Sequence, residues 1–201
     1  MATQAERRES TRSAFIQAAA DSLQANGLAG FTTSDVVRRA GMSNGALFRY
    51  FATRTELLSA TVEFVFARLL DEYAERYVAL ASTAVTPLAL LTLLWDVYDD
   101  PCLAAVYEVY GAARTDTVLR SAIEPMIRQH AANIHEFAHD IVTRFSDADD
   151  DTIREMVWVA ALSMQGLALS RPVYLDPYGG EELVATLARL SERVIDFRRQ
   201  S

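Results

Sequence analysis

Lysine is absent from this chain, so arginine supplies all nineteen basic side chains. Arginine's GC-rich codons explain that better than any structural demand. Cysteine is almost as scarce. With Cys102 alone, an intrachain disulfide is excluded and a zinc site built on cysteine is disfavoured, which suits a reducing cytoplasm. A membrane-spanning helix is not expected either. The uncharged stretch from Met156 to Ser170 is shorter than the roughly 20 residues a membrane-spanning helix needs, and Ser163 and Gln165 interrupt it. The opening MATQAERREST has no apolar segment, which argues against a secretory signal. Alternating apolar–polar runs bounded by turn signals are missing, so strands are not expected.

Half of the residues are apolar, enough to bury a core in a chain of 201. The net charge of −8 argues at first against nucleic-acid binding, but the charge is unevenly placed. Residues 1–54 carry seven arginines against four acids, whereas the other 147 carry twelve against twenty-three. A basic head on an acidic body is what a phosphate-binding module joined to something else would look like.

Helical spacing recurs throughout. Phe15, Ile16, Ala19, Ala20 and Leu23 form one stripe, and Gly27 falls where a left-handed residue would end that helix. Thr32-Thr33 offers an N-cap before Val36, Val37 and Ala40, and Gly41 stops this second, short helix. Ser43 caps a third that carries Leu47, Phe48 and Phe51. Thr53 or Thr55 can open a long fourth through Leu57, Leu58, Val62, Val65, Leu69 and Tyr73. Further helices are expected over 88–98, 102–113, 116–145, 152–170 and 181–198, with Pro125 predicting a kink or break in the seventh. The acidic run 146–151 suits the start of the eighth, and Pro172, Pro177 and two glycines mark a loop over 171–180.

The informative unit is the pair of short helices joined by Ala40-Gly41-Met42-Ser43. A helix-turn-helix needs a reversal of three or four residues, and glycine supplies the positive φ. Met42 and Leu47 should point inward. Asn44, Gly45, Ala46, Arg49 and Tyr50 should face out, the two small residues letting the helix backbone approach a major-groove floor. Arg49 has the reach for guanine O6/N7, and Asn44 for adenine N6/N7 or a phosphate. Thr33, Ser43, Tyr50 and Arg54 complete the expected DNA-binding set, chiefly as backbone contacts.

The run FTTSDVVRRAGMSNGALFRYFATRTELL, residues 31–58, resembles the signature of TetR/AcrR-family repressors. That signature is a threonine-led helix, Ala-Gly, a hydrophobic residue, Ser-x-Gly-x-Leu-aromatic-x-x-Phe, and a Ser/Thr-basic-x-x-Leu opening the fourth helix. Two positions depart from it. Phe48 stands where the family often has tyrosine, so a hydroxyl contact to phosphate is lost, and Ala52 stands where proline is common, which should loosen the start of helix 4.

The resemblance implies an all-α fold of about nine helices. Residues 1–54 would form a three-helix helix-turn-helix DNA-binding domain and residues 55–201 a helical effector-binding and dimerisation domain. It implies a sequence-specific transcriptional regulator, chiefly a repressor, that leaves a palindromic operator when a small molecule binds. The last two helices should pair with their copies in a second subunit through Trp158, Val159, Leu162, Gly166, Leu169, Leu183, Leu187, Leu190 and Val194. Two-fold pairing doubles a site that one recognition helix reads too briefly. A pocket for a largely apolar effector with at least one polar group would lie among helices 4 to 8. Its candidate lining is Phe66, Trp95, Tyr98, Tyr107, Tyr110, Met126, His130, Phe137 and Trp158. No cofactor, resident metal or membrane association is expected.

One rival reading is enzymatic. His135-Glu136-Phe137-Ala138-His139 spells H-E-x-x-H on a predicted helix, the zinc metalloprotease motif. The extended form fails, because Val142 stands where its glycine should be and Phe145 where its third histidine should be. A zinc-dependent hydrolase is therefore the alternative, and the lesser one.

Overall fold

The computed structural model describes residues 3–80, 85–170 and 179–197. Among them are nine helices and no sheet: α1 (Gln4–Gly30), α2 (Thr33–Ala40), α3 (Asn44–Leu47), α4 (Arg54–Leu80), α5 (Pro87–Tyr98), α6 (Pro101–Ala113), α7 (Thr117–Phe145), α8 (Asp150–Ser170) and α9 (Gly180–Val194). None of these helices is long and apolar enough to cross a membrane. Residues 77–95 make a longer uncharged run than 156–170, but it is shared between the end of α4 and the start of α5.

The helices assemble into two compact units, Met1–Arg68 with Pro101–Arg128, and Leu69–Asp100 with Gln129–Ser201. Both α4 and α7 therefore contribute residues to each. In the first unit α1 packs against α2 and α6. Its core is built from Phe15, Leu23, Phe31, Val36, Leu47, Phe51, Leu57, Leu58, Val62, Val106 and Ile123, all nearly inaccessible to solvent. The alanines at 18, 19 and 20 lie buried on α1 and keep its axis near its neighbours. Packing in the second unit joins α5 to α9 and α8. Gly180 lies so close to Trp95 that a Cβ there would stand 2.1 Å from the indole, so this glycine is required by contact.

Several expectations are corrected in detail. Gly27 does break α1, but at φ 62 and ψ −179 it is not a left-handed cap. The chain kinks there and resumes helix to Gly30. Pro125 does not break α7, which runs on to Phe145. The last helix stops at Val194, and residues 195–197 are extended, with Phe197 bridging to Ser146. Most of the loop expected over 171–180 lies outside the described residues, as does residue 198. Asp149 caps α8, accepting from the Thr152 N–H at 2.8 Å and the Thr152 hydroxyl at 2.9 Å, which lowers its carboxyl below the ordinary range.

Candidate nucleic-acid interface

The surface centred on α3 is built by local caps. Thr32 Oγ1 accepts from the Asp35 N–H at 3.2 Å and so starts α2. Gly41, at φ 66 and ψ 28, ends it in the left-handed region. The Gly41 N–H donates to Arg38 O at 3.3 Å and the Met42 N–H to Val37 O at 3.0 Å, the paired bonds of a Schellman stop. Ser43 then extends, and its Oγ accepts from the Ala46 N–H at 3.1 Å. Leu47 and Phe51 are buried beneath the turn and Met42 is half-buried, so packing fixes the angle between α2 and α3.

Asn44, Gly45, Phe48 and Arg49 are exposed, and their spacing puts them on one face. A Cβ on Gly45 would meet only Ser43 Oγ, at 3.9 Å, so the space before it is open. The Arg49 guanidinium has no hydrogen-bond or ion-pair partner among the described residues, while other arginines nearby are engaged. Arg38 and Arg39 both hold Asp35, the latter at 2.6 Å. Asp35 also accepts from Asn26 Nδ2 at 2.9 Å. Arg39 first, then the Ser22 hydroxyl and Arg38, keep the Asp35 carboxyl far below its ordinary range.

Two residues, Tyr50 and Arg54, sit differently from the sequence reading. Tyr50, expected to face out, is half-buried, its ring 5.9 Å from that of Phe15 with the Arg8 guanidinium 6.0 Å above it. Phe48, where the resemblance implies a lost hydroxyl contact to phosphate, is 52% exposed. The Phe48 N–H still donates to Asn44 O at 3.0 Å, as in an α-helix, and the chain tightens only after it. The Tyr50 N–H donates to Leu47 O at 2.9 Å, one residue nearer than an α-helix would use, which rotates the following side chains. Arg54 turns back onto its own fold. Its guanidinium donates to Leu28 O at 3.2 Å and Phe31 O at 3.4 Å and lies 5.3 Å from the centre of the Phe31 ring, pinning the start of α4 to the α1–α2 junction. Thr33 is the first residue of α2 and half-buried. At Ala52, the N–H that proline would lack donates to Glu56 Oε2 at 2.7 Å, and the Glu56 N–H donates to Thr53 Oγ1 at 3.0 Å. These two bonds tie the start of α4.

Residues 15–61 match the family model for bacterial regulatory proteins of the tetR family. An uncharacterized HTH-type transcriptional regulator of Mycobacterium tuberculosis is 30% identical over 188 residues, which is 94% of this chain and 96% of that one. The chain belongs to the TetR family. It is a DNA-binding transcriptional regulator of the helix-turn-helix type. Solved structures share the fold. A transcriptional regulator of Rhodococcus sp. Rha1 superposes with a TM-score of 0.72 at 16% identity, covering 92% of this chain and 97% of that one. The multidrug binding protein EbrR complexed with ethidium does so at 0.66 and 23%, covering 92% and 98%.

In this TetR-family regulator the candidate effector residues are shared between the two compact units. Phe66, Tyr107 and Tyr110 cluster in the first unit, with Tyr110 6.3 Å from Phe66 and 5.6 Å from Tyr107 between ring centres. Met126 is half-buried in the same unit. Next to Tyr110 an open groove of about 850 Å³ is lined by Ile123, Ile127 and Ala113 together with Arg114, Arg120, Glu124 and Arg128. Arg120 caps the end of α6, donating to Ala113 O at 3.0 Å and Arg114 O at 2.8 Å, and Arg128 pairs with Glu124 at 2.6 Å. In the second unit Phe137 stacks edge-on with Tyr73 at 5.1 Å and Tyr77 at 5.8 Å. Burial pushes the His130 imidazole down to about 4 and the Tyr98 phenol up to about 12. Trp95 is occupied by Gly180. Trp158, 70% exposed, does not line an interior pocket of the subunit.

The regulator's H-E-x-x-H segment lies on α7, with His135 Nε2 3.4 Å and His139 Nε2 3.8 Å from Asp150 Oδ1. Asp150 is itself paired with Arg154. No group of three or more His, Cys, Asp or Glu among the described residues is arranged to hold a metal ion, and the zinc-hydrolase alternative finds no support.

Two contacts near the helix-turn-helix were not foreseen. Glu108 of α6 accepts from the Leu28 N–H at 2.7 Å beside the kink at Gly27, and Ser59 of α4 donates to Ala122 O of α7 at 3.0 Å. Both bring together residues more than 60 positions apart, which local pattern cannot foretell.

Proposed function

We propose that this chain is a repressor that binds a palindromic operator as a homodimer and is released by a small-molecule effector. The observation that carries the reading is the single exposed face of Asn44, Gly45 and the unpaired Arg49, held by Ser43, Leu47 and Phe51. Arg49 would read guanine and Asn44 adenine or a phosphate. Thr33, the backbone around Ser43 and half-buried Ala46 and Tyr50 would fix register. Arg54 would act chiefly by positioning, since its donors already serve Leu28 and Phe31.

Support for the dimer comes from the outer face of α8, where Trp158, Val159, Leu162, Gly166 and Leu169 are all exposed, while Ile153, Ala160, Met164 and Ala168 take the inner face. An apolar stripe of this kind marks an interaction surface. On α9 the expected stripe divides. Leu190 and Val194 are exposed, Leu183 is half-buried and Leu187 belongs to the subunit's own core. The interface would therefore use the first two and not Leu187.

The effector reading rests on the groove beside Tyr110, whose volume is within the range of small-molecule sites. Its apolar lining and the Arg114 guanidinium, without an ion-pair partner among the described residues, suit an apolar body carrying one acidic group. EbrR, a relative in fold, is a multidrug binding protein with bound ethidium. The groove, α6 and the helix-turn-helix lie in one compact unit. An effector that favours a displaced α6 would act on the recognition surface through the Glu108–Leu28 bond, because only differential affinity for two states shifts their balance.

The test is selection of bound fragments from sheared genomic DNA with the purified protein, then titration of the winner against salt and against a panel of lipophilic acids. A palindrome whose affinity falls steeply with salt, and which is released by a member of the panel, supports the reading. Recovery of random sequence alone, bound equally at all concentrations of every compound, refutes it.

A further inference from the structure

We propose that Phe48 reads a thymine by its methyl group, and so sets sequence preference at one position of each half-site. The inference rests on the DNA-reading role given above and deepens it. Phe48 is 52% exposed on the face that carries Asn44, Gly45 and Arg49. One turn of helix separates Phe48 from Asn44, so the two side chains stand one above the other. Gly45 opens the space beside the ring, and the ring of Tyr50, which could have covered it, is turned away against Phe15.

The chemistry of the ring narrows what it can meet. A phenyl group has no donor or acceptor, so it cannot hold a phosphate oxygen or pair with the N7, O6, N6 or O4 groups of the major-groove floor. The apolar feature that floor presents is the C5-methyl of thymine, and phenylalanine is among the side chains that contact it. Leu47 and Phe51 already fill the core beneath α3, so Phe48 is not needed to hold the turn. Its exposure leaves apolar area to be covered only when the groove closes over it. A tyrosine here could bond a phosphate and say nothing about sequence. The phenylalanine forgoes that contact for a base-dependent one.

The experiment uses the full chain and its selected operator. Each thymine of a half-site is replaced in turn by deoxyuridine, which deletes the methyl and leaves every hydrogen-bonding edge unchanged. One position per half-site is expected to lose affinity by about fourfold, the scale of burying a single methyl-sized group. With Phe48→Ala that position falls silent, thymine and uracil duplexes binding alike. The thermal midpoint stays within about two degrees, as for other exposed substitutions. Phe48→Leu, which keeps an apolar surface of shorter reach, retains part of the discrimination. Uracil accepted at every thymine by the unmodified protein overturns the assignment. So does a uracil penalty that persists undiminished in Phe48→Ala. Failure of the unmodified protein to select any operator is a separate result, which removes the DNA-reading role and this inference with it.

Discussion

Seven arginines crowd the first 54 residues, yet their charges are not equivalent. Arg38 and Arg39 are spent on Asp35, Arg54 on two carbonyls, and Arg12 lies 5.6 Å over the Phe51 ring, whereas Arg49 reaches solvent alone. Arg49→Ala should therefore weaken operator binding by about 1–3 kcal/mol per half-site, the worth of one bidentate guanine contact, and barely change binding to random sequence. Titrations on both duplexes at one salt concentration check this; equal losses would make Arg49 a phosphate contact. His130 supports a prediction about pH. Burial lowers its pKa from 6.5 to about 4, so in the window between those values the unfolded chain binds a proton that the folded chain refuses. Stability associated with the neutral imidazole is complete above pH 6.5 and is lost as pH falls toward 4, by about 3 kcal/mol in all. Urea unfolding at pH 7, 5.5 and 4.5 should show that decline, and His130→Gln should flatten it. An unchanged slope in the variant would assign the acid sensitivity to other groups.

At the scale of elements the two positive-φ glycines offer a controlled comparison. Gly41 sits at φ 66 in the left-handed region with nothing within 4 Å of where a Cβ would stand, so Gly41→Ala meets only the backbone penalty, about 1 kcal/mol. Gly27 combines φ 62 with ψ −179, a region open essentially to glycine alone, and a Cβ there would stand 2.7 Å from Glu108 Oε2. The carboxylate would have to leave the Leu28 N–H. Gly27→Ala should cost about 2–3 kcal/mol, more than Gly41→Ala, in denaturant titrations of both; equal costs would mean that the Glu108 contact contributes nothing. The same comparison shows what was legible. Thr32, Gly41 and Ser43 were readable because a cap is decided by three or four neighbours in sequence, and so were the α2–α3 turn and the outward Asn44, Gly45 and Arg49. Glu108 was not, since its partner is 80 residues away. Tyr50 was misassigned because a four-residue helix is too short to fix a period, and the tightened turn after Phe48 rotates it. Leu187 was given to the wrong face because Leu183, Leu187, Leu190 and Val194 satisfy one stripe on paper, whereas the fold needs part of that stripe for itself.

The whole molecule has to reconcile an acidic body with a polyanionic partner. Its 147 residues beyond the first 54 carry eleven more acids than arginines, a charge that repels DNA unless the basic head is the part presented to it. In the proposed dimer, two linked heads would turn the second half-site contact into an intramolecular event, and operator affinity would then depend on the subunit interface as well as on the recognition helix. Trp158 is the residue on which to test that dependence, because it is 70% exposed and its removal leaves no cavity inside the subunit. Trp158→Glu would place a charge within an apolar face that also carries Val159, Leu162 and Leu169. Sedimentation should show two chains for the unmodified protein and one for the variant, with helical content by circular dichroism unchanged. Specific affinity should fall on the order of 100-fold or more, the loss typical of an uncoupled second site, while weak binding to random DNA persists through each intact head. If the variant remains two chains, the outer face of α8 is not the interface. Should it become a single chain and still hold the operator as tightly, one recognition surface suffices and the two-fold reading of the operator is wrong.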